Sequence, residues 1–462
     1  LDSASLLALE NALRTEGRRR REAYEEAKRR FGVDGGVFAQ GDHTLVVELV
    51  APTPYFLEIA AFYPSFPVPR WLVERSSKDW FLPEKIVSNG AFRLAEWRVG
   101  DRIRLERSQT YWGKNEVKMS SVEILPTENL TTSLNLYLSG EVDWIPNGRY
   151  PMDLADSLKP RKDFYIGPAL AVYYYRINTT RKPFDDARVR RALNLAVDRE
   201  QITRDVLGLG QIPARHIVPP GLGEYEQPKS EIRYDVAEAK KLLAAAGFPE
   251  GKGFPSFGVL FNTHESHKKL AEVVADQLRR NLGLDVKAYN QEWQAYQETM
   301  RALDYDLARA GWIGDYEDPN TFLDLWVTNG GNNQTGWGNT TYDRLIQAAA
   351  DTEKFLQSPD ALLDKVENPD TARRLVQAVR EAREPSQRLE LSAKLRLELL
   401  GRAEAILVQR EFPIIPIYFY VNSGMVGPQV KGFYNEIVGR DGRKRPNPRE
   451  IHPLREIHID GK

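Results

Sequence analysis

Cysteine is absent from the 462 residues, which excludes disulfides, thiol catalysis and cysteine-ligated metal sites. An excess of either charge is also missing, since 64 Lys and Arg face 65 Asp and Glu. Neither nucleic acid nor an anionic membrane is therefore expected as the main partner. No run approaches the roughly 18 apolar residues of a membrane-spanning helix. The length predicts two or more domains, or one large bilobal body.

Catalytic signatures are also missing. The six histidines show no H-E-x-x-H spacing, and no nucleophile elbow, Walker loop or dinucleotide fingerprint occurs. Asp315, Glu317 and Asp318 form a carboxylate cluster that could indicate a glycosidase or a metal site. A helix start capped by Asp318 before Pro319 explains the same pattern. We therefore expect neither an enzyme nor a bound cofactor or metal.

The first five residues do not form a signal peptide, because no basic region leads into an apolar one. We therefore expect that the chain was processed, truncated or never exported. Residues 4–31 read as an amphipathic helix, with leucines at helical spacing. Strands are predicted at 44–49, 91–94 and 102–107, with a turn at Val99-Gly100-Asp101 between the last two.

The second half alternates strand and helix. Strands are predicted at 172–177, 257–261, 285–288 and 413–420, and Asp186 and Asp235 precede helices. This order predicts a mostly parallel sheet covered by helices. Residues 351–390 are highly charged, with turns at Pro359, Pro369 and Pro385, and are predicted to be a helical surface insertion.

Residues 309–319 (Arg-Ala-Gly-Trp-Ile-Gly-Asp-Tyr-Glu-Asp-Pro) are the most informative stretch. They place Asp315 just past a strand-like run at 305–308. Tyrosine (20) and tryptophan (9) are abundant and supply rigid contact area in clefts, although most such residues pack in cores. A carboxylate in an aromatic-lined cleft is a natural partner for a cationic amine.

This stretch and several others, in order along about 380 residues, resemble the oligopeptide-binding family of solute receptors for ABC importers. The matching segments include Pro54-Tyr55-Phe56, Ser65-Phe66-Pro67-Val68-Pro69, Val87-Ser88-Asn89-Gly90-Ala91-Phe92, Leu138-Ser139-Gly140-Glu141-Val142-Asp143, Tyr173-Tyr174-Tyr175-Arg176-Ile177-Asn178, Pro183-Phe184-Asp185-Asp186-Ala187-Arg188-Val189-Arg190, Asn290-Gln291-Glu292-Trp293 and Ile415-Pro416-Ile417-Tyr418-Phe419-Tyr420-Val421-Asn422. Each segment is weak evidence by itself, and their shared order makes chance implausible.

The resemblance implies an α/β, two-lobed Venus flytrap (periplasmic-binding-protein) fold with hinge strands. Lobe I would comprise residues 1–171 plus 425–462, and lobe II would comprise 172–424 with the helical insertion at about 351–390. The hinges would lie near 171–178 and 418–424, and residues 452–460 would return to lobe I as a strand. The family's N-terminal quarter has no counterpart here, so a second polypeptide, a further segment or an abbreviated lobe I is expected.

The resemblance also implies ligand contacts. Asp315 would hold the α-ammonium of a peptide, and Arg309 would be available to its carboxylate. Asn262 and His267 match cleft positions, and Gly311 lies in the same ligand-reading stretch. The matched aromatic residues, implied to line side-chain pockets, are Trp293, Trp312 and Tyr174. Leu207 stands where the family can place a lysine, so the preferred ligand length or class can differ.

Ordinary structural roles remain open for these residues. Asp315 could be a helix cap or a surface acid, Arg309 a member of an ion pair, and His267 a structural histidine. The implied function is a periplasmic or cell-surface receptor that binds extended oligopeptides and delivers them to ABC permease subunits. Alternatives are a receptor of the same fold for a dipeptide, nickel complex or sugar, or a structural subunit that has lost transport.

Overall fold

The computed structural model describes residues 36–49, 52–76, 78–146, 148–433, 436–438, 444–446 and 452–460. The helix predicted at 4–31 lies outside these residues. Strands in the described part, in chain order, are β1 Val37–Ala39, β2 Leu45–Val47, β3 Phe92–Arg98, β4 Arg102–Arg107, β5 Ser121–Ile124, β6 Trp144–Ile145, β7 Phe164–Ile177, β8 Ile212–Pro213, β9 Phe257–Asn262, β10 Val286–Gln291, β11 Leu307–Ile313, β12 Ile414–Val426, β13 Val430–Lys431, β14 Glu436–Val438, β15 Lys444–Pro446 and β16 His458–Ile459.

The α-helices of the same residues vary widely in length. They are α1 Phe56–Ala60, α2 Arg70–Arg75, α3 Leu130–Leu138, α4 Ala155–Leu158, α5 Ala187–Leu195, α6 Arg199–Gln201, α7 Val236–Ala245, α8 Glu265–Leu282, α9 Trp293–Arg301, α10 Asn320–Leu323, α11 Thr340–Ala350, α12 Thr352–Phe355, α13 Asp360–Leu363, α14 Asp370–Glu381 and α15 Pro385–Ala405. Short 3₁₀ turns occur at Tyr63–Ser65, Met152–Leu154, Pro249–Gly251 and Asp324–Trp326, and π-helical turns at Ile202–Leu207 and Ile406–Glu411.

The central sheet has the strand order β10-β9-β11-β7-β12-β6, with β8 beside β12. Strand β9 is parallel to β10 and to β11, whereas β7, β12, β6 and β8 form antiparallel pairs. The prediction of a mostly parallel sheet is therefore wrong. The strands that are linked by helices do lie parallel, but the long strands β7 and β12 pair antiparallel. A local alternation of strands and helices does not indicate how such distant strands pair.

Strands β7 and β12 run side by side for most of their lengths. Their antiparallel register extends from Ile414 opposite Arg176 to Met425 opposite Phe164. The register shifts between Pro416 and Tyr418 and again between Phe419 and Val421. Such irregularities bend a strand and increase its local twist. The strand predicted at 172–177 is thus the end of a longer one.

Alternate residues of β7 enter different cores. Val172 and Tyr174 belong to one cluster, while Tyr173, Tyr175 and Ile177 belong to another. This division follows from the two-residue side-chain period of a strand. A third, smaller cluster joins residues from α3 to α4 with Met425 at the end of β12.

The charged segment 351–390 folds into α12, α13, α14 and the start of α15. The predicted turns are confirmed, since Pro359 and Pro369 stand directly before helices and Pro385 opens one. The segment is not merely a surface elaboration, however. Its apolar side chains, including Phe355, Leu363 and Val379, are buried in the same core as Tyr174. The helices are amphipathic, and the residues of their charged faces account for the high charge of the segment that suggested a surface insertion.

Local signals from the sequence position the remaining elements. The Asp186 carboxylate accepts a hydrogen bond from Arg188 N at 2.8 Å, and that of Asp235 accepts one from Glu238 N at 3.0 Å. Gly100, with φ +76°, makes the turn between β3 and β4. Near the C terminus, β16 pairs with β13, and His458 Nε2 lies 3.2 Å from Lys118 Nζ.

Candidate functional site

The site begins at β11 and the turn that follows it. The strand starts at Leu307 and continues to Ile313, so Arg309, Gly311 and Trp312 lie on it and Asp315 lies just past its end. The turn is fixed from both sides. Gly314 N donates to Leu170 O at 2.8 Å, and Asp315 N donates to Thr321 Oγ1 at 3.2 Å. These bonds set the position of the Asp315 backbone.

Asp318 has a structural partner that the sequence did not reveal. Its two carboxylate oxygens accept hydrogen bonds from Arg396 on α15 at 2.9 and 2.7 Å, and both side chains are largely buried. Its Oδ1 also accepts from Asn320 N at 2.9 Å. Asp318 thus combines a hydrogen bond to the first residue of α10 with a bidentate ion pair, while Pro319 occupies the N-cap position predicted for Asp318.

Tyr316, which follows Asp315 directly, forms an aromatic pair with Tyr55. The ring centroids are 4.9 Å apart and the rings are 5° from parallel. Arg396 Cζ lies 5.5 Å from the centre of the Tyr55 ring, within cation–π range. The Tyr316 hydroxyl accepts a hydrogen bond from Asn320 Nδ2 at 3.1 Å.

Asp324 adds a second acid near Asp315. The residue is exposed to solvent, although neighbouring protein atoms partly desolvate its carboxylate. This desolvation, followed by the charges of Asp315 and Asp318, raises the pKa of Asp324 to about 6. The region around Asp315 is therefore an environment that disfavours further negative charge and favours a cation.

Arg309 points into a group of tyrosines. Its Cζ lies 4.8 Å from the centre of the Tyr173 ring, and its Nη2 donates to the Tyr420 hydroxyl at 3.2 Å. Nη1 approaches Asn262 Oδ1 at 3.4 Å, and Nε is buried and makes no hydrogen bond to the residues that the structure describes. Within the part of the chain that the structure describes, Arg309 forms no salt bridge with a carboxylate. The geometry therefore does not support the alternative role of Arg309 as a member of a structural ion pair.

His267 lies beside this arginine. Its ring centroid is 5.7 Å from that of Tyr173 and 4.8 Å from that of His264. Desolvation, aided by the Arg309 charge and by His264, lowers the pKa of His267 to about 3. Its Nδ1 is buried and makes no hydrogen bond to described residues. The structure thus places Arg309 close to both His267 and Asn262, and their roles as ligand contacts stay a prediction.

The tyrosines around Arg309 were not singled out by the sequence analysis. Tyr173 stacks on Tyr418 with centroids 5.0 Å apart, and Tyr418 contacts Tyr420 at 4.9 Å. The Tyr296 hydroxyl donates to the Arg309 carbonyl oxygen. The sequence signal that could have found them is the two-residue period of a strand, which places Tyr418 and Tyr420 on the same face of β12. Tyr173 lies opposite Gly311 on the neighbouring strand.

Gly311 lies close to the arginine head group. A Cβ at this position would meet Val172 O at 3.3 Å, Arg309 Nη2 at 3.4 Å and the Tyr420 hydroxyl at 3.5 Å. A side chain would therefore crowd the guanidinium. Trp312, the next residue, is partly buried, and its Nε1 donates to Thr321 Oγ1 at 3.4 Å.

The other predicted aromatic residues differ in accessibility. Trp293 is 57% exposed and stacks on Tyr296 at 5.8 Å. Tyr174 has no exposed surface and packs against Trp326 in the core. This corrects the prediction for Tyr174, because its position on β7 directs it away from Arg309 and gives a ligand no contact. Leu207 ends a π-helical turn and packs partly buried against the cluster that contains Tyr173.

Other features of the described residues lie elsewhere. A cavity of about 350 Å³ is lined by Trp112, Lys118, Arg455 and His458, away from β11. The described residues hold no group of three or more acids and histidines arranged to bind a metal ion. None of their helices is both long and apolar enough to cross a membrane.

Comparison with known proteins agrees with this geometry. Residues 9–334 match the family model "Bacterial extracellular solute-binding proteins, family 5 Middle". The periplasmic oligopeptide-binding protein OppA of Salmonella typhimurium is 36% identical, with 88% of this chain and 69% of that protein aligned.

Two solved structures extend the comparison. A periplasmic oligopeptide-binding protein from Borrelia burgdorferi is similar with a TM-score of 0.70 and 30% identity, covering 92% of this chain and 75% of that one. OppA of Haemophilus influenzae, solved in complex with RPPGFSPFR, gives a TM-score of 0.65 and 31% identity over the same shares. The chain therefore belongs to the bacterial extracellular solute-binding proteins of family 5 and has their two-lobed α/β fold.

Proposed function

We propose that this protein is an extracytoplasmic receptor that binds extended oligopeptides between two lobes and delivers them to an ABC permease. Asp315 would receive the peptide ammonium, and Arg309 with His267 and Asn262 would receive a carboxylate. Trp293 and Trp312 would border side-chain pockets. Such a site contacts the two charged ends and the backbone of the peptide. Binding would therefore depend little on the side chains of the peptide.

The observation that carries this proposal is the environment of Arg309. Its guanidinium is surrounded by tyrosines and an amide and forms no salt bridge within the described residues. A charge removed from water is costly unless it is paired. A ligand carboxylate would supply the pair, and the neutral His267 beside it leaves the arginine as the main cation.

The two ends of the proposed site differ in charge. Asp315 and Asp318 lie close enough to Asp324 for their charges to raise its pKa, so three acids share one end of the site, where Arg396 pairs with Asp318. The opposite end is cationic at Arg309. This polarity suits a zwitterionic peptide in one orientation and disfavours the reverse one.

The lobes would meet at β7 and β12. We assign residues 1–171 plus 425–462 to lobe I and 172–424 to lobe II, with hinges near 171–178 and 418–424. The smaller core cluster joins residues of 134–158 to Met425, as this assignment requires, and it also takes in Leu209 of lobe II. The register shifts of β12 at 416–421 lie beside the second hinge.

A second polypeptide that completes lobe I is part of this proposal; the chain spans about 69% of the length of the Salmonella relative. The exposed side chains of Trp71 and Trp112, at 60% and 80%, are candidates for such a contact.

Isothermal titration calorimetry with tri-alanine, tetra-alanine and RPPGFSPFR tests the proposal. Arg309→Met should weaken binding at least tenfold by removing the carboxylate partner, whereas Arg301→Met, at an exposed position of α9, should not. Equal affinity of the Arg309→Met variant and the parent protein would refute the carboxylate role. Binding of none of the three peptides would favour another solute or a structural role.

A further inference from the structure

We propose that Tyr55 is a positioning residue that couples lobe closure to the ammonium end of the site. The inference rests on the proposed function and adds a contact from the opposite lobe. Tyr55 belongs to residues 52–76, on the lobe I side of β7. Tyr316 belongs to the turn after β11, on the lobe II side. Their contact thus spans the proposed cleft.

The contact is a specific one. The two rings are nearly parallel, 5° apart, at 4.9 Å, which is a stacked geometry with directional preference. Because Tyr316 is bonded to Asp315 in the chain, the pair lies one residue from the proposed ammonium partner. A shift of the Tyr55 segment away from β11 would separate the rings and open this end of the cleft.

Arg396 holds the lobe II side of this contact. It pairs bidentately with Asp318 and at the same time lies 5.5 Å from the Tyr55 ring centre. Asn320 Nδ2 fixes the Tyr316 hydroxyl. Tyr55 therefore contacts a surface made of one ring and one cation, each of which is held by hydrogen bonds within lobe II.

Peptide binding and lobe closure would be coupled because the ligand and Tyr55 both contact the turn after β11. A bound ammonium would hold Asp315, and Asp315 is continuous with the residue on which Tyr55 stacks. Ligand and Tyr55 would then both favour the same closed arrangement, so each would strengthen the other. Tyr55 would contribute to affinity mainly by slowing ligand release.

Stopped-flow binding and small-angle X-ray scattering with tetra-alanine test the inference. Tyr55→Ala should weaken affinity about 3- to 10-fold through a faster dissociation rate and should reduce the compaction that peptide causes. Tyr55→Phe, which keeps the ring, should restore both. Tyr63→Ala is the matched control, because Tyr63 is 70% exposed on the same segment and its ring contacts Phe62.

The outcomes separate the inference from the proposed function. Normal release rate and full compaction in Tyr55→Ala, with binding abolished by Asp315→Ala, would overturn the role of Tyr55 and leave the receptor intact. Failure of the parent protein to bind any peptide would overturn both. A lower melting temperature without a change in release rate would assign Tyr55 a structural role and also overturn the inference.

Discussion

Single residues determine the polarity of the proposed site. Arg309 lies on β11 and Asp315 follows the end of the same strand. One strand and the turn after it therefore supply the charged residues at both ends of the proposed site. Burial makes each of these interactions stronger than it would be in water. Substitutions at these two residues should therefore have larger effects than substitutions of exposed charges.

Asp315→Asn should lower the affinity for a peptide with a free amino terminus by at least tenfold, because the isosteric amide cannot neutralise the ammonium. The same substitution should change the affinity for an N-acetylated peptide little. Calorimetry with tetra-alanine and its acetylated form measures both. Equal losses for the two peptides would mean that Asp315 does not contact the ammonium.

Asp324 makes a pH-dependent prediction. Its pKa in the folded protein is raised to about 6, above the value near 4 of an unfolded aspartate. Its contribution to stability is therefore complete below about pH 4 and is lost as the pH rises through about 6. Asp324→Asn should gain stability relative to the parent protein at pH 7 and not at pH 4.

Urea unfolding at both pH values checks this, with Asp153→Asn as the control at an exposed position. A stability difference between Asp324→Asn and the parent protein that is the same at pH 4 and pH 7 would contradict the assignment.

At the scale of elements, the ion pair between Arg396 and Asp318 anchors α15 to the turn after β11. Both side chains are largely buried, with 7% and 15% exposure. Arg396→Met should lower the free energy of unfolding by about 3 kcal/mol, because it leaves a buried carboxylate without its partner.

The matched control is on the same helix. Lys394 pairs with Glu390 at 2.6 Å, but both side chains are exposed, so Lys394→Met should cost less than about 0.5 kcal/mol. Urea denaturation measures both variants. Similar losses for the two would mean that the buried pair has no special role.

The sequence predicts some features of the helices and strands better than others. Helix caps, turns and most strands have local signals, and Asp186, Asp235 and Gly100 behave as expected. The face of a strand is harder to predict when every residue is apolar or aromatic. The run from Val172 to Ile177 is apolar or aromatic except for Arg176 and offers no polar alternation, so the two buried faces occupied by Tyr173 and Tyr174 could not be distinguished.

The site was only partly predictable for a related reason. Arg309, His267 and Asn262 come from β11, α8 and β9, and the resemblance to the family brought them together. The contacts between Arg396 and Asp318 and between Tyr55 and Tyr316 join residues far apart in the chain. Nothing in the local pattern around either partner indicates the other.

At the scale of the whole molecule, the proposed receptor should close around its ligand. Tetra-alanine or RPPGFSPFR should reduce the radius of gyration measured by small-angle X-ray scattering, because the proposed hinges in β7 and β12 would let the lobes approach each other. The Arg309→Met variant should compact less at the same peptide concentration. An unchanged radius at saturating peptide would argue against a hinged receptor.

The central claim is that the cleft holds peptides by their charged ends. Native mass spectrometry of the purified protein, before and after mild denaturation, tests it most directly. The account predicts release of a mixture of small peptides from the parent protein and little from Asp315→Asn. A parent protein that carries no peptide, and remains empty after incubation with a peptide mixture, would contradict the account.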